Sequence, residues 1–252
     1  MTLKNPVLEI CVDSIESALA AQRGGAQRIE LCSALSEGGI TPSTGLLTLV
    51  RKKLRIDISV MIRPRGGDFC YSTLEFEQMK EEIQQAREAG ANGVVFGILK
   101  PNGTVDVKRT RQLVELAAPL PVTFHRAIDV TRNLPASLEA IIDAGAMRIL
   151  TSGGAPNVTA GMRMLTKLVK LAGDRISIMP GSGVRPENIV ALAQATGAHE
   201  FHGSAGNWIP GPMQYRKRSV RFSDVPGREF DRYRTNVETV RSLALALKTL
   251  GK

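Results

Sequence analysis

Four stretches of the chain share one pattern: a glycine able to end a helix, an alanine, about two further residues, then an apolar run. They are GGAQRIEL from Gly24, AGANGVVF from Ala89, AGAMRILT from Ala144 and TGAHEFHG from Thr196. Their glycines, Gly25, Gly90, Gly145 and Gly197, lie 65, 55 and 52 residues apart. Glycine adopts the left-handed backbone that closes a helix without steric cost, so each motif predicts a helix end followed by a strand. Between them stand four more β-rich runs, VLEICV, DISVMI, PVTFHR and RISIMP, each followed by a helix-like stretch. Eight strand–helix units at this spacing fill the chain and predict an α/β fold, a single (β/α)8 TIM barrel over residues 1–252. Ser14 and Ser72 stand where helix N-caps are expected, and a last helix is expected from about Asn236 to Leu247. Residues 206–231 form a long connection before it, carrying Pro210, Pro212 and Pro226, and a loop of that length is usually functional or an assembly element.

Period-two alternation sorts the strand residues by face. In VLEICVD, Leu8, Ile10 and Val12 face the helices and Glu9, Cys11 and Asp13 face the barrel interior. By the same rule Arg28, Glu30 and Cys32, then Ser59, Met61 and Arg63, then Thr123 and His125, then Glu200 and His202 point inward. A barrel interior is normally filled by branched apolar side chains, so this one is unusually polar. A buried carboxylate needs a partner, and Arg63 and His125 are the expected partners of Glu9 and Glu30. One reading is an ion network that fixes strand register. The other is a ligand site at the strand C-termini, where sites on this fold lie, with Glu9, Glu30, Arg63 and His125 as catalytic groups if the protein is an enzyme. His125 is then the histidine expected to act near neutral pH.

Several loops carry anion-binding chemistry. RPRGGDF places Arg63 and Arg65 where two guanidinium groups can clamp an anion. TSGG with Ser152 and Gly153, PGSGVRPENI with Ser182 and Gly183, and HGSAG with Ser204 and Ala205 follow strands six, seven and eight. Small residues there let backbone amides approach a phosphate or carboxylate, although tight turns need the same residues. Cys11 and Cys32 lie on adjacent strands, and a one-residue stagger puts their Cα atoms on the order of 6 Å apart, within reach of one soft ion such as Cu(I). A buried cysteine is also commonly a small apolar residue, and Cys70 is read as incidental.

Composition narrows the partners. Three cysteines are too few for a disulfide framework and indicate a reducing compartment, the cytoplasm. No apolar run approaches the roughly 18 residues of a membrane span, and neither a signal peptide nor an anchor is expected. Of the formal charge of +9, residues 215–234 supply seven basic against three acidic side chains, or four net charges. Without stacking aromatics or a reading module, that cluster does not indicate nucleic acid.

The stretches EICVDSIESALAAQRGGAQRIELCSALSEGGITPS, VMIRPRGGDFCYS, LPVTFHRAID, RILTSGG, GSGVRPENI and EFHGSA together resemble the CutC copper homeostasis family from Glu9 to Ala205. The resemblance implies a TIM barrel, a cytoplasmic location, self-association as a dimer or tetramer and a role in copper handling. It also implies Cu(I) binding by Cys11 and Cys32. Gly203 departs from the pattern, where serine or cysteine is expected. Two functional expectations follow: a copper-binding protein using the paired cysteines, or a barrel enzyme acting on a small anionic metabolite.

Overall fold

In the computed structural model, which describes residues 6–217, 219–221, 225 and 227–251, all four punctuating glycines have the left-handed backbone, with φ of 96° at Gly25, 86° at Gly90, 91° at Gly145 and 73° at Gly197. Each lets the chain leave a helix and enter the next strand within a few residues. The strands are β1 (Val7–Val12), β2 (Arg28–Leu31), β3 (Asp57–Met61), β4 (Gly93–Phe96), β5 (Val122–Phe124), β6 (Arg148–Thr151), β7 (Ser177–Pro180) and β8 (Glu200–Gly203). The helices between and after them are α1 (Ile15–Gly24), α2 (Thr44–Lys53), α3 (Thr73–Glu88), α4 (Val107–Ala117), α5 (Leu134–Asp143), α6 (Val158–Ala172), α7 (Ile189–Thr196) and α8 (Val237–Lys248). Parallel ladders run in the order β7-β6-β5-β4-β3-β2-β1-β8, and the outermost two come together to form a (β/α)8 TIM barrel.

The helix starts follow local chemistry. Ser14 accepts the Ser17 amide ahead of α1, and Ser72 with Glu75 forms a reciprocal capping box ahead of α3. Asn236 accepts the amides of Glu238 and Thr239, fixing the start of α8 one residue beyond the expected position. Outward strand residues such as Leu8, Ile10, Val12, Ile29, Leu31 and Ile58 are fully buried between sheet and helices. Burial of each such side chain contributes about 1.5–3 kcal/mol, and this shell is the hydrophobic core.

The inner face is polar as the alternation predicts, but the partners differ from those expected. Arg28 Nε pairs with Glu9, Arg28 Nη2 with Glu200 at 2.5 Å, and Arg148 Nε with the same Glu200 oxygen at 2.6 Å. Arg148 Nη1 then donates to Thr123 Oγ1 at 3.0 Å. The expectation that Glu9 would pair with Arg63 or His125 is corrected. Arg28 lies directly across the β1–β2 ladder from Glu9, so the nearest cation in register takes the carboxylate.

The connection after β8 is also more ordered than a long loop. It opens as β9 (Gly206–Pro210), which pairs antiparallel with β10 (Asp231–Thr235), and Trp208 and Tyr233 pack edge to face, 5.6 Å between centroids. Tyr233 bonds Ser204 at 2.8 Å, and the Thr235 amide donates to Ser17, so the ribbon is tied to the end of β8 and to α1. Of the basic 215–234 segment, Arg218, Phe222, Ser223, Asp224 and Pro226 lie outside the described residues.

Removing Arg28 takes a cation from two buried carboxylates at once, leaving Glu9 with His202 and Glu200 with Arg148. Arg28→Met is expected to cost about 3–5 kcal/mol of folding stability, as breaking a buried pair does. Urea denaturation at pH 7 checks this, and a loss below about 1 kcal/mol would show that the network holds little.

Candidate functional site

Because every barrel strand runs in the same direction, their C-terminal ends share one mouth, which holds a cavity of about 680 Å³. Cys11 and Asp13 from the β1 end, Glu30 from β2 and His202 from β8 form one side. Met61 and Arg63 from the β3 end and His125 from the β5 end form another, and Trp208 and Tyr233 of the ribbon stand at the rim.

On the first side the interior network reaches the mouth through His202. Its Nδ1 bonds Glu9 Oε1 at 2.8 Å, and its Nε2 lies 3.8 Å from Glu30 Oε2. Burial works against ionisation of Glu9, but Arg28 and His202 outweigh it and hold the carboxyl at about 2. Burial likewise disfavours a charged His202, yet Glu30, Cys11 and Glu9 raise it well above the ordinary histidine range. Burial, aided by the charge of Glu9, pushes Glu30 up despite His202. One donor atom each from Cys11, Glu30 and His202 lies within 4.8 Å of the others, the geometry of a metal-ligand set.

Cys32 stands behind this group. Its thiol donates to Glu30 Oε2 at 3.5 Å, and burial together with the Glu30 charge pushes it well above the usual thiol range. The register places Cys11 opposite Glu30, so Cys32 lies two residues farther along, which corrects the expected one-residue stagger. That offset sets the Cα atoms on the order of 8 Å apart. All three cysteines are free thiols.

On the second side Arg63 is 5% exposed and pairs with no carboxylate among the described residues. Nη1 donates to the carbonyls of Glu37 and Gly39, and Nη2 to that of Gly67, at 2.8–2.9 Å. His125 is 4% exposed, and its Nδ1 accepts the Ala127 amide, so the ring hydrogen sits on Nε2. Burial, then the Arg63 charge, push His125 down to about 3. The expectation that His125 would titrate near neutral pH is therefore corrected; it is a neutral donor. Arg65 is engaged within its own loop and by α3. It is held by Glu75 at 2.6 Å, by Asp68 at 3.0 Å and by the Cys70 carbonyl.

The three glycine loops divide. After β6, the Asp129 carboxylate accepts the amides of Ser152 and Gly154 and the hydroxyls of Thr151 and Ser152, so that cradle already holds an anion. The Gly153 amide goes to Thr151 Oγ1. After β7, Ser182 has φ of 81°, its hydroxyl bonds the Pro156 carbonyl, and neither it nor Gly183 lines the cavity. After β8, Ser204 does line it, bonded to Tyr233, while the Ala205 carbonyl takes the Asn236 amide.

Alternation sorts His202 inward without giving it a role, and it singles out neither Asp129 nor the aromatic pair. His202 carries the same signal as His125. Only the spatial neighbours distinguish them.

The fold and the mouth define a TIM barrel whose polar interior opens onto a thiol, imidazole and carboxylate group. The CutC family model matches residues 6–207, and the chain belongs to the CutC family. A CutC family protein of Chromobacterium violaceum is 48% identical over 96% of this chain and 98% of its own length. The human copper homeostasis protein cutC homolog is 43% identical over 97% of this chain and 90% of its own. A crystal structure of CutC from Streptococcus agalactiae superposes with a TM-score of 0.76 at 34% identity, covering 79% of this chain and 98% of its own. No helix of the described residues is long and apolar enough to cross a membrane.

The state of His125 has a measurable consequence. With a folded pKa of about 3 against 6.5 unfolded, the unfolded chain gains a proton below pH 6.5 that the native protein refuses. The contribution of His125 is thus complete above pH 6.5 and is lost as pH falls toward 3, at about 1.4 kcal/mol per pH unit. Denaturation midpoints of the wild type and His125→Asn between pH 6.5 and 4.5 should diverge at that slope, the variant being the flatter. Parallel curves would show that His125 protonates freely in the native state.

Proposed function

We propose that this protein handles copper in the cytoplasm, receiving Cu(I) at the barrel mouth with Cys11 as the principal ligand and Cys32 and His202 as flanking donors. The observation that carries the reading is the convergence of Cys11, Glu30 and His202 on one point of the cavity wall. Thiolate and imidazole suit a soft ion, and of the three converging groups the carboxylate of Glu30 suits it least. Glu30 lies between the two cysteines, accepting the Cys32 thiol, so the second sulfur adjoins the cluster without belonging to it. The names of relatives, copper homeostasis protein among them, point the same way. The reading takes the three free thiols to be maintained by a reducing cytoplasm, and the chain to self-associate as a dimer or tetramer.

Metal ligands must lose their protons, so loading copper releases protons and weakens as pH falls. Titration of the protein with Cu(I) against a competing chromophoric chelator is expected to show one ion per chain. Cys11→Ser should weaken binding beyond the roughly 100-fold that loss of a supporting residue costs, and Cys32→Ser by about tenfold. Affinity unchanged in the double variant would overturn the reading.

A further inference from the structure

The copper reading uses only one side of the cavity, and the side formed by β3 and β5 has a different chemistry. The guanidinium of Arg63 is buried and bonded to three backbone carbonyls, which satisfy hydrogens but do not neutralise charge. Arg63 also interacts with the buried Tyr71 hydroxyl, whereas Nε2 of His125, the ring nitrogen that carries the hydrogen, has no partner among the described residues. One wall of the cavity thus carries a buried donor that lacks an acceptor beside a buried guanidinium that no carboxylate among the described residues neutralises. Such groups ordinarily are hydrogen-bonded, and orphans of this kind mark a missing partner. Arg126, at the same wall, uses Nε and Nη2 on Asp129 and Ser152 and leaves Nη1 without a partner among the described residues.

We infer that the cavity binds a small organic carboxylate with an apolar body, its carboxylate seated at Arg63 and His125. A cavity of about 680 Å³ is the size of a small-molecule site, far larger than one ion requires. Leu35, Met61, Phe69, Val130, Leu150 and Trp208 supply apolar walls for the rest of the molecule. A carboxylate fits better than a phosphate. The backbone cradle after β6 is filled by Asp129, and Ser182 and Gly183 lie off the cavity, whereas a planar guanidinium edge beside an N–H donor matches a planar carboxylate. The Phe69 ring packs on both groups, 5.0 Å from the His125 ring and 5.2 Å from Arg63 Cζ, and must turn aside as the carboxylate enters.

Isothermal titration of the copper-free protein with phenylacetate, phenylacetamide and inorganic phosphate tests this, since acid and amide differ chiefly in charge. Phenylacetate is expected to bind once per chain, with the amide weaker by roughly tenfold or more, as loss of a charge-assisted bond requires. Phosphate should not compete. Arg63→Gln should bring the affinity for acid down to that for amide. Because Arg63 also ties three loop carbonyls, the Nε2–H resonance of His125 in the wild type gives a second readout: it should shift with phenylacetate and stay with phenylacetamide. Equal binding of acid and amide, displacement by phosphate, absence of phenylacetate binding or an unmoved His125 resonance would each overturn the inference. None of these results depends on copper.

Discussion

Glu9, Arg28, Glu200 and Arg148 occupy the space that branched apolar side chains fill in most barrels of this kind. Two acids and two bases neutralise one another there, with β1, β2, β6 and β8 all contributing, so the ladder ties strands from across the ring. The arrangement makes register obligatory. Slipping β1 by one residue would turn Glu9 toward the helices and Leu8 toward the charges, losing apolar burial and ionic pairing together. Glu9 also uses its second oxygen on His202, so the same carboxylate that helps fix the barrel orients the imidazole of the mouth. Scaffold and candidate site are therefore one connected structure.

Much of this is legible in the sequence for definite physical reasons. Glycine takes the left-handed backbone at Gly25, Gly90, Gly145 and Gly197 with least strain, so their recurrence along the chain marks the strand–helix repeat. Alternation in VLEICVD and RIELC sorts inner from outer residues, because one strand face must meet the apolar helices. What alternation does not carry is which inner residue meets which. By sequence Arg63 is as available to Glu9 as Arg28 is, since pairing depends on the stagger between strands, a property of barrel closure. The ribbon of β9 and β10 is hidden for a related reason. Its segments, GNWIP and DRYRT, lack an apolar alternation and are joined across a proline-bearing, basic stretch.

The stagger also reshapes the cysteine pair. With Cys11 level with Glu30, a carboxylate lies between the two sulfurs, and each thiol faces a different local charge. Cys32 is sealed at the back, where Gly39 packs so closely that an added Cβ would sit 3.1 Å from its sulfur. Cys11 lines the open cavity. Cys11 and His202 are therefore the groups open to the cavity, and the Cys32 thiol is engaged behind them with Glu30.

The two histidines of the mouth show how charge, not residue type, assigns chemistry on this scaffold. Both sit on inner positions at strand ends, both are nearly inaccessible to solvent, and burial alone would keep both neutral. His202 lies among Glu9, Glu30 and Cys11, whose interactions with it more than repay its desolvation. His125 faces the Arg63 cation, which adds to the penalty, and the weaker opposing pull of Asp129, which is ion-paired with Arg126, does not reverse it. One imidazole is thus placed among anions as a cation, and the other beside a cation as a neutral donor. The mouth consequently has an electrostatic direction, from the carboxylates and thiols of β1, β2 and β8 to the guanidinium groups near β3 and β5. A molecule or ion entering it meets opposite preferences on its two sides.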